Sequence, residues 1–440
     1  MIQIIAPPGF LPEKAYAFRI LLEEILGLNF TITYSDTTTS YQLVLPNAHV
    51  LILADCFFGR KKEGEGYTLS DVPAEPGYFQ HRIMHRSIPV LYGKPGLRHY
   101  EYSTTCEADL VAATFFMTTR WEEAVKPERD QYGRFPAHAA YAAQYNLLDT
   151  PVVHEWAELI WQCLLDLGYP ESARSQRAYT VQLSCDVDHP FLWWQPWERL
   201  RTLAGAVQRP YPIREWSYWL QRNRLGGKDP FDTFDELIRL ACTSTVQFNF
   251  LGQRPPHFDC WYDLSHPRIG DLLRYLEEQG QTIGFHPSRE AALDRMQFDT
   301  ELEGLRRVTT ATITTGRHHY LCFSAPDTWQ MWEDAGMTMD STAGYPELPG
   351  FRTGMCIDYP VFNFRTRRPL KLREQPLIAM DVTFLEYLKK DVAGTMNKLQ
   401  YLRHQTQLHQ GQFTLLWHNS SIHTPIWQPY WDALTKIMVC

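Results

Sequence analysis

Cysteine is sparse and unpatterned in this chain. The nine residues are an odd number, they are scattered from Cys56 to Cys440, and no C-x-x-C pair occurs. That distribution fits reduced thiols better than a disulfide framework. No apolar run reaches membrane-spanning length. The opening Met1-Ile2-Gln3-Ile4-Ile5-Ala6-Pro7-Pro8 lacks a basic segment and a long apolar core, and prolines interrupt it at once, so a secretory leader is not expected and a cytoplasmic location is. Positive charge is in deficit. Lys plus Arg total 42 against 50 Asp plus Glu, a net charge of −8, which argues against a general nucleic-acid binder. The short basic runs Arg60-Lys61-Lys62 and Arg365 to Arg373 read as solvated surface. Internal repeats and low-complexity stretches are missing, and the first 140 residues hold no glycine-rich nucleotide loop and no cluster of metal-binding side chains.

What is present suffices for a full core. A chain of 440 residues, 44% hydrophobic and 21% charged, predicts a soluble protein of two or three domains. Residues 1–140 read as an α/β unit, with strands over Met1–Ile5, Phe30–Tyr34 and Val50–Ala54, a helical pattern over Ala15–Leu26 and an apolar run over Asp109–Thr118. Arg120 with Glu122 and Glu123 reads as a buried or interdomain salt-bridge set. Residues 141–178 read as a helix and linker. From 179 to 440 strands alternate with helices: strands over Thr180–Cys185, Thr245–Leu251, Thr282–Phe285 and Phe413–Trp417, and helices over Phe231–Cys242, Asp271–Gln279, Thr300–Thr309 and Ala325–Ala335. The rhythm implies a parallel sheet, open or closed into a barrel, whose site lies at the C-terminal ends of the strands. The aromatics of residues 190–230 (Phe191, Trp193, Trp194, Trp197, Trp216, Tyr218, Trp219) read mainly as packing for an irregular lobe, with sugar stacking as the alternative.

Two short segments carry metal-competent side chains just past apolar strands. One is Ser184-Cys185-Asp186-Val187-Asp188-His189; the other is Gly284-Phe285-His286-Pro287-Ser288. A strand end is rigid enough to hold ligands at fixed distance. If the two strands are neighbours, Asp188 and His286 can share one divalent ion and leave Asp186 free as a base. His418 follows a third strand, Leu415-Leu416-Trp417-His418.

With Gly316-Arg317-His318-His319-Tyr320 between them, these segments stand in the order of motifs that resembles the polysaccharide deacetylases, the NodB-homology group of carbohydrate esterase family 4. The resemblance covers roughly residues 179–425. Thr119–Glu123, Asp340–Tyr345 and Gly350–Gly354 are similar in style to a subgroup with an added N-terminal α/β domain. It implies an α/β fold with a distorted (β/α) barrel at 179–440. It also implies metal-dependent hydrolysis of N-acetyl or O-acetyl groups on a carbohydrate or glycan precursor. The implied cofactor is one divalent ion: zinc, with cobalt, nickel or manganese as alternatives. Asp188 and His286 would be ligands. The family's further histidine, four residues after the first, is replaced here by Glu290. His319 is the preferred third ligand, with Glu290 and His189 as alternatives, and loss of the metal is a further one.

In this scheme Asp186 is the general base, Arg317 holds it in place and ionised, and His418 protonates the leaving nitrogen. Tyr320, Arg352 and Trp417 are expected at the substrate, although Arg352 equally suits an anchor for the Asp340 loop. The competing readings are a non-catalytic barrel that binds carbohydrate or protein, fed by Glu290 at the histidine position, and an amidohydrolase acting on a small amide. No nucleic-acid partner and no membrane span are expected.

Overall fold

The computed structural model describes residues 1–81, 86–194, 228–242, 244–252 and 262–438. Trp197, Trp216, Tyr218 and Trp219 of the aromatic segment lie outside the described residues.

The first half builds a six-stranded mixed sheet. Its strands are β1 (Ile2–Ala6), β2 (Phe30–Tyr34), β3 (Ser40–Val44) and β4 (Val50–Ala54), then, past the separate hairpin β5 (Gly77–His81) and β6 (Arg86–Val90), β7 (Gly93–His99) and β8 (Ser103–Ala108). The order is β2-β1-β3-β4-β8-β7. In β3, β4 and β8 every second residue is buried, as expected for strands with one face on a core. The apolar run after Asp109 is the helix Leu110–Thr119, buried on every side; the Asp109 carboxylate caps it by accepting from the Ala112 N–H. The helix Val152–Asp166 follows.

The second half is a nine-stranded sheet in the order β14-β15-β13-β12-β11-β10-β9-β17-β16. These are β9 (Thr180–Val187), β10 (Gln247–Leu251), β11 (Thr282–His286), β12 (Thr315–Gly316), β13 (Met339–Asp340), β14 (Tyr359–Asn363), β15 (Arg368–Glu374), β16 (Ala379–Met380) and β17 (Gln412–Leu416). All pairings are parallel except β14 with β15. The connecting helices carry the expected stripe. Pro267–Glu278 buries Ile269, Leu272, Leu273 and Leu276, and the chain then turns through Gly280 at φ 69°.

The structure is mixed α/β with a largely parallel sheet, as expected, and of the two arrangements left open, sheet or barrel, closure is not seen among the described residues. Among the described residues β14 and β16 are edges that do not pair with each other. The β14 edge is instead covered by the first half. Phe362 meets Tyr16 and Phe115 with ring centroids 5.0 and 5.3 Å away, and the Tyr359 hydroxyl donates to the Thr118 carbonyl. A covered edge needs no closure. Beside this contact Arg120 binds Glu122 and Glu123, and Arg352 binds Glu123 from the second half at 2.6 Å, so the Arg120 set is the buried salt-bridge cluster expected. The cysteines need one correction: six described cysteines are free, but Cys242 is disulfide-bonded. No helix among the described residues is long and apolar enough to cross a membrane.

Asp340 and Glu374 face each other across β13 and β15, both fully buried. Burial pushes the Asp340 carboxyl up to about 6, and burial plus the Asp340 charge push Glu374 well above the carboxylate range. Two carboxyls in this setting share a proton. The native state therefore holds more protons than the unfolded chain above the ordinary carboxylate pKa, and stability contributed by the pair is full at acid pH and lost as pH rises through the native values. Glu374→Gln should remove the Glu374 share of this pH dependence and leave that of Asp340. Urea unfolding at stepwise pH should show the variant gaining on wild type, by on the order of 2 kcal/mol, toward neutrality; parallel curves would show that the pair holds no extra proton.

Candidate metal centre

The site sits where the parallel strands end. Asp186 lies at the end of β9 with Asp188 one residue past it, His286 closes β11, Arg317 and His319 follow β12, and His418 follows β17. Register makes this convergence. Asp186 is opposite Asn249 in β10, which is opposite Gly284 in β11.

Asp188, His286 and His319 each offer a ligand atom, and these atoms all lie within 4.8 Å of one another. His286 Nε2 is 3.3 Å from Asp188 Oδ1, and His319 Nε2 is 3.6 Å from Asp188 Oδ2. The Nδ1 of His286 lies 2.5 Å from the Arg317 carbonyl. A carbonyl only accepts, so Nδ1 carries a proton, and Nε2, the nitrogen facing Asp188, is the one available to bind an ion. His286 Nε2 and Asp188 Oδ1 are buried without a well-formed hydrogen bond. Buried polar atoms are normally satisfied, and one carboxylate with two imidazoles is a donor set suited to zinc or a similar divalent ion. The residues therefore fit the metal expected. Burial raises the Asp188 carboxyl, but His319, His286 and His418 hold it well below the usual range. His286 is lowered by burial and raised more by Asp186 and Asp188, ending above its ordinary value.

Asp186 stands beside this group with its Oδ2 3.8 Å from His286 Nε2. Its other oxygen accepts from Arg317 Nη1 at 3.0 Å and Asn249 Nδ2 at 2.7 Å. Arg317 also donates to the Ser184 hydroxyl, the Ser341 carbonyl and the Ser341 hydroxyl. Burial raises Asp186, and Arg317, His286, His418 and Asn249 together bring it below the ordinary value. His418 Nε2 is 3.7 Å from Asp188 Oδ2, while its Nδ1 is 2.8 Å from Asp381. Burial lowers the His418 imidazole, and Asp381, Asp188 and Asp186 raise it to about 10. That shift favours the imidazolium form at neutral pH.

The cavity above these groups has a volume of about 200 Å³ and is lined in part by Tyr132, Arg134, Tyr320 and Tyr387. Of the three residues expected at the substrate, Tyr320 lines this cavity. Arg352 and Trp417 do not, and these two placements are corrected. Arg352 is buried in its pair with Glu123 and donates to the Gly344 carbonyl; it anchors the loop after Asp340. Trp417 precedes His418 by one residue, so alternation turns it to the other face, where it packs on Trp427 and Trp431. Glu290 is exposed on the turn Glu290–Ala292, and His189 lies against Phe231; neither belongs to the ligand group.

Sequence reasoning missed Asp381, Asn249, Tyr132 and Arg134. Asp381 had a readable signal, since Leu377-Ile378-Ala379-Met380-Asp381 is again an apolar run ending in an acid. Asn249 had a weaker one, a polar residue between Phe248 and Phe250. Tyr132 and Arg134 had none, because they reach the site from a loop of the first half.

Residues 2–169 match the model of a family of unknown function (DUF7033). A search of curated proteins finds no match. Among solved structures, one described as a "putative polysaccharide deacetylase from Mycobacterium smegmatis" is similar at 14% identity and a TM-score of 0.38, covering 60% of this chain and 85% of that one.

Gly284 is the space for Asn249. A Cβ on Gly284 would stand 2.0 Å from Asn249 Oδ1. Gly284→Ala should therefore push Asn249 off Asp186 and cost about 1–3 kcal/mol in urea unfolding. Unchanged stability would mean that Asn249 is not held where the register places it.

Proposed function

We propose that this protein is a divalent-metal-dependent hydrolase that removes acetyl groups from a carbohydrate. The observation that carries the reading is the convergence of Asp188, His286 and His319 within 4.8 Å, with an immobilised carboxylate and a protonated imidazole beside them. The order of motifs in the sequence supports the same class. Residues 179–440 form the catalytic domain in this reading, joined through residues 141–178 to the N-terminal α/β domain of residues 1–140.

Asp188, His286 and His319 would hold the ion. When bound, it would supply Lewis acidity for the acyl carbonyl and acidify a water. The chain's own residues do the rest. Asp186, with one oxygen fixed by Arg317 and Asn249, has its second oxygen free to accept a proton from the attacking water. Arg317 keeps that carboxylate ionised at neutral pH. His418, oriented and kept charged by Asp381, gives its proton to the departing nitrogen or oxygen. Tyr320 lines the approach.

A second reading keeps the chemistry and changes the substrate to a small amide. The cavity volume of about 200 Å³ favours it over a long polymer, since ligand pockets commonly exceed ~300 Å³. Rates on acetylated mono- and oligosaccharides beside simple amides separate the two.

Asp186→Asn should lower kcat by about 10²–10⁴-fold and leave zinc affinity close to wild type by calorimetry, because the base is not a ligand. Asp188→Asn should weaken zinc binding. Equal loss of affinity in both variants would reverse the two roles, and a purified protein that neither contains nor takes up a divalent ion would remove the hydrolase reading.

A further inference from the structure

His319 opens a single turn, His319–Leu321, of unusual backbone. Tyr320 has φ 59° and ψ 11°, and Leu321 follows at φ 54°. Left-handed conformations are uncommon for residues other than glycine, and two bulky ones in succession persist only where their surroundings hold them. On one side the turn is held by its own half. The His319 N–H donates to the Pro287 carbonyl, and Leu321 packs with Leu377, Met380 and Leu416.

On the other side it is held by residues far away in sequence. The Tyr320 carbonyl accepts from Arg134 Nη1 at 2.7 Å. The Tyr320 ring lies between His319, with centroids 4.1 Å apart and planes at 28°, and Tyr132, at 5.0 Å and 14°. Arg134 is itself fixed. Its Nε donates to Asp130 Oδ2 at 2.7 Å, while Asp130 Oδ1 accepts from the Tyr132 and Arg134 N–H groups at 2.9 Å. Gly133, at φ 80°, lets the chain turn between them. This loop is built to present one guanidinium and one aromatic face to one peptide.

We propose that Arg134 and Tyr132 are positioning residues for the His319 ligand, so that the segment Asp130–Arg134 completes the metal centre from outside the nine-stranded sheet. The proposal rests on the metal reading above. Arg134 fixes the Tyr320 carbonyl, Tyr132 fixes the Tyr320 ring, and together they set the direction of the neighbouring imidazole. Groups that orient a ligand affect metal affinity nearly as strongly as the ligand. A merely adhesive role between the two halves would change stability and leave affinity alone.

The test is cobalt(II) and zinc binding to the full chain, by calorimetry and by the visible absorption of the cobalt form, with thermal unfolding in parallel. Arg134→Ala and Tyr132→Ala should each weaken binding by about 10–100-fold and alter the cobalt bands. In a His319→Ala background Arg134→Ala should add no further loss, because the two act as one unit. If wild type binds neither ion, the metal reading fails and takes this proposal with it. If wild type binds and the folded variants bind as tightly with the same cobalt spectrum, the proposal is overturned and the metal reading stands. Should Arg134→Ala not fold, Tyr132→Ala, at a half-buried position, decides by the same criteria.

Discussion

The guanidinium of Arg317 is fully buried and hydrogen-bonded through all three of its nitrogens. It ties the end of β9, through Ser184 and Asp186, to the segment after β13, through Ser341. Its own carbonyl meanwhile takes the Nδ1 proton of His286 at the end of β11. A buried cation of this kind is costly unless every donor is matched. Matching them fixes three strand ends against one another, and that fixes the spacing of Asp186, Asp188 and His286. Removing Arg317 would leave a buried carboxylate short of its main counter-charge, not simply one hydrogen bond fewer.

Around that cation the site separates two kinds of carboxylate. Asp186 has one oxygen committed to Arg317 and Asn249. Among the described residues Asp188 has no such donors and faces the imidazoles of His286, His319 and His418. In the proposed reading the first would hold and release a proton and the second would bind the ion. Asp381 makes a third use of the same group, aligning His418 and keeping it charged. One residue type serves three roles because its hydrogen-bond partners differ.

The relation between the halves follows from an exposed edge. An antiparallel strand such as β14 ends a parallel sheet and leaves unpaired backbone groups. Helix Leu110–Thr119 and Tyr16 cover it, and the Arg120–Glu123–Arg352 cluster seals the neighbouring polar surface. One apolar cluster joins buried residues of both halves, Ile2 and Met438 among them. The first half is thereby close enough to lend Tyr132 and Arg134 to the cavity.

The sequence by itself determined the elements whose apolar period was plain: β2 and β4 at their observed bounds, β9, β11 and β17 within two residues, and the helix Val152–Asp166. It also put Asp186, Asp188, His286, His319 and His418 at or just past strand ends, because an apolar run followed by a polar residue is a local signal; Arg317 came only from the order of motifs. Strands such as β7, Gly93-Lys94-Pro95-Gly96-Leu97-Arg98-His99, carried no such period. The helix Val392–Leu408 turns Thr395, Gln405 and Thr406 inward with its apolar residues, which blurs its stripe. Closure or opening of the sheet, the inward turn of Trp417 against the outward turn of His418, and the arrival of Arg134 186 residues before its partner Tyr320 were decided only by the tertiary structure. Each depends on which surfaces meet, and contacts between segments distant in the chain leave no periodic mark on either one.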